Sequence, residues 1–182
     1  DMAKPGAWQG GGERIENGAV FSPCKIYRYT LWRVWDRTLP LVNFVMLNPS
    51  TADEVLNDPT VERCERRARK MGYGGLIVTN AFALRSTDPK GLRRIDDPVG
   101  PENDHHISVS AAQAALVVCG WGKHCDAVAP GRGNRILQAI HAGGRVPHAL
   151  KLNGDGSPQH PLYIGYATLP RPMPGERIGD AA

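Results

Sequence analysis

The chain has 182 residues, with 22 Lys and Arg against 18 Asp and Glu and a formal net charge of +4. Hydrophobic residues at 41% and charged residues at 22% fit one globular domain with a real core and exclude a disordered or fibrous chain. The longest apolar runs, 42–47 and 114–119, are too short to cross a bilayer, and so small a positive surplus permits a polyanionic partner without naming one.

Residues 1–18 are Gly-rich and polar, with no apolar period, and read as a flexible leader. Residues 25–35, dense in aromatic and β-branched side chains, and the apolar run 41–47 read as two strands. The five residues between them, closing with Pro40, suit a hairpin, and the second run suits an interior strand covered on both faces. Asp58-Pro59-Thr60 reads as a helix start, with Asp58 as N-cap. Val61, Cys64, Ala68 and Met71 then form one apolar stripe. Arg63, Arg66, Arg67, Arg69 and Lys70 occupy the opposite face, expected to be solvated, and Gly72 supplies the stop.

Further on, residues 76–79 read as a buried strand, 104–114 as a helix, 116–119 as a strand and 134–142 as a helix. Residues 148–152 read as a fourth interior strand, 160–164 as a last short one, and 169–182 as a Pro-rich tail. The alternation predicts one α/β domain over residues 19–168. It is a three-layer sandwich with a small, mainly parallel sheet, and the first hairpin strand is its antiparallel N-terminal edge.

In such sheets ligands bind beyond the carboxyl ends of the strands. Each interior strand here ends in a polar or Gly-rich cluster: Asn48, Pro49, Ser50 and Asp53; Thr79, Asn80, Phe82 and Arg85; Trp121 and Lys123; and, after the fourth, Asn153 to His160. A parallel sheet would bring these to one rim. An Asn amide carries both a donor and an acceptor and can read a base edge. Phe82 or Trp121 could stack on a flat ring, and His160, before Pro161, lies at the rim, as does His124 after the third strand. Each also has a plain reading, as turn former, helix cap or core residue.

Cys24, Cys64, Cys119 and Cys125 form no C-x-x-C pair, which argues against a disulfide framework and for reduced thiols in the cytoplasm. Cys119, His124 and Cys125 lie close in sequence, but adjacent ligands do not suit a closed tetrahedral site. No metal or cofactor is expected, and no membrane partner.

The string Leu47-Asn48-Pro49-Ser50-Thr51-Ala52-Asp53, with Asp58-Pro59-Thr60, Thr79 through Pro89, Gly120-Trp121-Gly122 and Pro158 through Tyr163, resembles a microbial and phage family, domain of unknown function 1643. More distantly, Leu47-Asn48-Pro49-Ser50 is similar to the Ile-Asn-Pro-Gly motif of mismatch-specific uracil/thymine-DNA glycosylases. Tyr73-Gly74, Thr79-Asn80 and Arg85-Ser86-Thr87 resemble their next segment. That second resemblance implies a uracil-DNA-glycosylase-like fold, with Asn48 positioning the attacking water, Asn80 helping to form the base pocket and His160-Pro161 near the nucleic acid.

The function expected is therefore directed at a nucleotide or nucleic acid, with hydrolysis of the N-glycosidic bond of a modified or mismatched base as the reaction. Asn48, Asp53 and His160 are the candidate catalytic residues. Pro49, Ser50, Thr79, Asn80, Phe82, Arg85, Trp121 and Lys123 are the candidate substrate contacts. A non-catalytic binder of a nucleotide or modified nucleic acid would use the same rim, and a hydrolase or transferase with Ser50 or Cys119 as nucleophile stands behind both.

Overall fold

The apolar runs become strands β1 (Glu16–Phe21), β2 (Arg28–Val34), β3 (Leu41–Met46), β4 (Gly75–Asn80), β5 (Leu116–Cys119), β6 (Pro147–Ala149) and β7 (Arg171–Pro172) in a computed structural model that describes residues 14–175. They form one sheet in the order β1-β2-β4-β3-β5-β6-β7. The four strands β4, β3, β5 and β6 run parallel, whereas β1, β2 and β7 join through antiparallel pairings. The sheet is thus mixed and seven-stranded, rather than small and mainly parallel.

The expected hairpin does not form. β4 inserts between β2 and β3, pairing antiparallel with Leu31–Val34 on one side and parallel with β3 on the other. Residues 36–40 form a turn in which Asp36 Oδ1 accepts from the Thr38 N–H at 2.9 Å, but that turn feeds a crossing rather than a hairpin. The N-terminal edge is β1, which starts at Glu16 inside the stretch expected as leader, and β7 lies in the stretch expected as tail. Gly18 lets the Trp32 ring lie against β1, since a Cβ there would sit 2.0 Å from Trp32 Cζ2.

Helices α1 (Pro59–Lys70), α2 (Asn103–Gln113), α3 (Cys125–Val128) and α4 (Arg132–Ala142) complete the domain. The two-residue period of β3 divides the core. Val42, Phe44 and Met46 pack with Val61, Cys64 and Ala68 of α1. Val45, Val117 and Cys119 pack with Ile107 and Ala111 of α2 and with Ile136 and Ile140 of α4. Asp58 caps α1, its Oδ1 accepting from the Val61 N–H at 2.9 Å.

The basic face of α1 is not a solvated face. Arg67 is wholly buried and donates to the Ile164, Gly165 and Thr168 carbonyls at 2.8, 3.2 and 3.1 Å. Arg63 donates to Ile164 O at 2.8 Å, and its guanidinium lies 4.4 Å from the Tyr166 ring centroid. These arginines clamp the segment after His160 to the domain. That segment is a 3₁₀ turn, Pro161–Tyr163, and not the short strand expected.

Candidate functional site

The parallel strands carry their carboxyl ends to one rim, where the loops after β3, β4 and β5 meet the His160-Pro161 segment. Ala81 and Phe82 N–H groups donate to Met46 O and Leu47 O at 2.8 and 2.9 Å, and the Gly120 N–H donates to Val45 O at 2.8 Å. Glycine at 120 is required by close approach: a Cβ there would meet Pro161 Cδ at 2.8 Å and Met46 Sδ at 3.3 Å. The Pro161 ring therefore seats directly on the end of β5.

Asn48 is half-buried. Its Nδ2 donates to Ser86 O at 2.8 Å and to Pro49 O at 3.1 Å. The Ser86 N–H returns a bond to Pro49 O at 3.0 Å, so the loops after β3 and β4 are stitched together. With the amide nitrogen held twice, Asn48 presents its Oδ1 as a fixed acceptor. Pro49 is buried within this stitch, and Ser50 is half-buried beside it.

His160 Nδ1 accepts from the Leu162 N–H at 3.1 Å, which fixes a tautomer carrying its proton on Nε2. Burial holds its pKa below the usual 6.5, against a smaller opposing pull from Asp58. At neutral pH the ring is therefore an uncharged donor. Tyr163, 79% exposed, lies with its ring centroid 6.5 Å from that of His160.

Asp53 is tied into its own loop through one carboxylate oxygen. Its Oδ1 accepts from the Leu56 and Val55 N–H groups at 2.7 and 2.8 Å, and these bonds hold its pKa below the usual carboxylate value. It closes a turn, and Arg33 locks that turn by donating to the Asp53, Glu54 and Leu56 carbonyls and to Asn57 Oδ1.

The remaining candidates divide. Thr79 is buried, its Oγ1 accepting from Asn43 Nδ2 at 3.3 Å, and so faces the interior. Asn80 is 1% exposed, and its Nδ2 is a buried donor without a partner among the described residues. Such a group is uncommon and marks a point where an acceptor is missing. Phe82 is fully buried among Val45, Ile107 and Trp121, a core residue rather than a stacking platform. Arg85 is exposed and turned away toward Lys25 O at 3.3 Å, over the Phe21 ring at 4.9 Å. Trp121 and Lys123 line a separate small pocket beside the rim, which Pro158 also lines.

Arg28 escapes a reading by motif. It is 2% exposed at the start of β2, donates to Ala52 O at 2.9 Å and leaves Nε without a partner among the described residues. Burial lowers its pKa to about 10, opposed by Asp58. It braces the Asn48–Asp53 loop from beneath. The one available signal was an arginine inside a strand otherwise dense in apolar and aromatic residues.

No disulfide joins the four cysteines; Cys64, Cys119 and Cys125 are buried and Cys24 is exposed. Burial pushes the Cys64 and Cys125 thiols up to about 12, which makes both poor nucleophiles. Among the described residues no three His, Cys, Asp or Glu side chains cluster as a metal site, and no helix is long and apolar enough to cross a membrane.

Fold and rim together define an α/β domain that presents polar groups where the loops after β3, β4 and β5 meet. The chain belongs to the family described as "Protein of unknown function (DUF1643)", which matches it over residues 28–162. No curated protein and no solved structure matches it.

Proposed function

We propose that this domain acts on a nucleotide or nucleic acid at the strand-end rim, hydrolysing the N-glycosidic bond of a modified or mismatched base. The observation that carries the reading is the fixed orientation of Asn48, whose amide nitrogen is held by Ser86 O and Pro49 O so that Oδ1 stands as an acceptor at the end of β3. The resemblance of Leu47-Asn48-Pro49-Ser50 to the water-positioning motif of uracil/thymine-DNA glycosylases supports it, as does the gathering of the loops after the parallel strands β3, β4 and β5 at one rim.

In this reading Asn48 Oδ1 accepts one proton of a water and aims an oxygen lone pair at the anomeric carbon. The bond from that carbon to the base nitrogen breaks, leaving positive charge on the sugar and negative charge on the base. His160 Nε2–H donates to an oxygen of the departing base, and the buried Asn80 Nδ2–H is a second donor on the same rim. The water's hydroxyl ends on the sugar and its proton on the released base. Uncharged imidazole suits this role, because the group acts by donating and not by titrating.

A second reading, binding without turnover, is favoured by Asp53. Both main-chain donors fall on its Oδ1, which commits that oxygen to closing a turn rather than to the sugar cation. The two readings separate in one experiment. Oligonucleotides carrying modified or mismatched bases, single- and double-stranded, are incubated with the protein and released base is separated chromatographically. Release supports hydrolysis. Thermal stabilisation by the same oligonucleotides without release supports binding alone, and neither result sinks both.

A further inference from the structure

Many of the domain's cations are already committed. Arg14 and Arg69 pair with Glu65 and Arg132 with Asp104, while Arg33, Arg63 and Arg67 donate to main-chain carbonyls. Lys90, Arg93 and Arg94 differ. All three are exposed, they fall within one stretch of five residues, and none of their side chains is ion-paired or hydrogen-bonded among the described residues.

They stand on a 3₁₀ turn, Pro89–Arg94, that is built onto the rim. Leu92 anchors it, fully buried in the core that holds Phe82 and Ile107. Asp88 caps it, its Oδ1 accepting from the Lys90 N–H at 2.9 Å, and the Ser86 hydroxyl donates to Asp88 O at 2.6 Å. A Cβ on Gly91 would lie 3.0 Å from Ser86 Oγ, so the turn packs against the residue whose carbonyl holds Asn48. Residues three apart eclipse in a 3₁₀ turn, about 6 Å along its axis, which sets Lys90 and Arg93 on one face with Arg94 next in the chain. Asp88, Asp96 and Asp97 share this loop. Asp88 and Asp97 each commit an oxygen to a main-chain N–H, of Lys90 and Gly100, and none of the three forms an ion pair with these cations.

We infer that Lys90, Arg93 and Arg94 form a phosphate-binding edge of the rim, and that the partner is a single-stranded nucleic acid whose backbone crosses this turn while one base reaches Asn48. Unpaired cations on an anchored turn need no existing bond broken and little chain ordering to meet phosphate oxygens. Such contacts fix the position of a strand without reading its sequence. The nearby carboxylates keep the local surplus of positive charge small, too small to offset extruding a base from a duplex, which selects a strand already unpaired. This inference rests on the nucleotide-directed reading above and deepens it: the substrate is a polymer and not a free nucleotide.

The test is fluorescence anisotropy of the full chain with a labelled single strand of about 12 nucleotides, as DNA and as RNA of the same sequence, over a series of salt concentrations. For three phosphate contacts on a single strand, log affinity should fall against log salt with a slope of about −2, a loss of about twentyfold between 50 and 200 mM. Either polymer bound with that slope supports the inference, and the tighter of the two names the strand. Lys90→Gln and Arg93→Gln should each make the slope shallower by about 0.7, with melting unchanged because both side chains are exposed. Lys70→Gln, an exposed position at the far end of α1, removes the same charge and should leave the slope alone. One slope shared by the wild type, Lys90→Gln and Arg93→Gln, no binding of either strand, or a mononucleotide bound as tightly as the strand would overturn the inference. Strand binding with the expected slopes but no released base would sink hydrolysis and keep this surface. Base release at equal rates from a strand and from a free nucleoside, with the slope unmoved by Arg93→Gln, would sink this surface and keep the rim chemistry.

Discussion

Asn48 donates to the main-chain carbonyl of Ser86, 38 residues further along the chain, at 2.8 Å. Together with the Ser86 N–H bond to Pro49 O it ties the loop after β3 to the loop after β4, and it fixes the orientation of the amide. Structure and proposed chemistry therefore share one residue. Truncating it to Ala should remove about 1–2 kcal/mol of stability, the usual effect of one partly buried hydrogen bond lost, and urea unfolding with an unchanged m-value would register this.

Gly120 and Pro161 make a second joint. Gly120→Ala forces a Cβ to within 2.8 Å of Pro161 Cδ, and the ring can yield only by lifting the His160-Pro161 segment off the rim. The expected result is about 1–3 kcal/mol of destabilisation, the range for overpacking, with a larger loss of base release than of stability. A variant with unchanged melting and unchanged activity would show that the segment does not seat there in solution.

Arg67 should matter more than a surface cation. Its guanidinium satisfies three carbonyls of the segment Ile164–Thr168 from a buried position. Arg67→Ala should lower stability by about 3 kcal/mol, since several charge-assisted bonds go at once. Amide hydrogen exchange of Gly165 and Tyr166 should accelerate in parallel. Arg66→Ala, on the more open part of the same face, should cost less than half as much.

Acid should destabilise the domain. Burial depresses the pKa of His160, and burial with the adjacent His105 depresses that of His106, both below the usual 6.5. Below that value the unfolded chain takes up protons that the folded chain refuses, so stability should fall as pH drops from 6.5 toward the folded-state pKa values, and level off beneath them. Above pH 7 the two histidines contribute no slope. Protonating His160 Nδ1 also removes the acceptor of the Leu162 N–H. Thermal melts at pH 7.5 and pH 5 should differ, and the difference should shrink in a His160→Asn, His106→Gln double variant; an unaltered difference would remove these histidines as its source.

The strands and helices were largely legible because period two in β3 and the three-and-four spacing in α1 are local signals. The pairing of β2 was not. Apolar runs at 25–35 and 41–47 look the same whether they pair with each other or with β4, and only the long-range register of Leu31 with Val78 separates the cases. The arginine face of α1 misled for a related reason: nothing near Arg67 in sequence shows that the carbonyls of residues 164–168 return to it. At the rim, Asn48 and Asn80 are legible as polar residues closing apolar strands, and His160 as the histidine before Pro161. Phe82 was not separable from a stacking residue, because a core Phe and a ligand-facing Phe at a strand end share the same sequence surroundings. Asp53 reads as a candidate catalytic residue from its place after the strand, and its bonds from the Val55 and Leu56 N–H groups have no signal in the sequence. Arg28 was missed because a buried guanidinium has no motif.

Single-turnover release of base from an oligonucleotide carrying a modified or mismatched base, compared between the wild-type chain and Asn48→Ala, tests the account most directly. The account predicts measurable release by the wild type and a rate about a hundredfold lower in the variant, the loss expected when a water-positioning group is removed. Release at the wild-type rate by Asn48→Ala, with the fold intact by thermal melting, would contradict it.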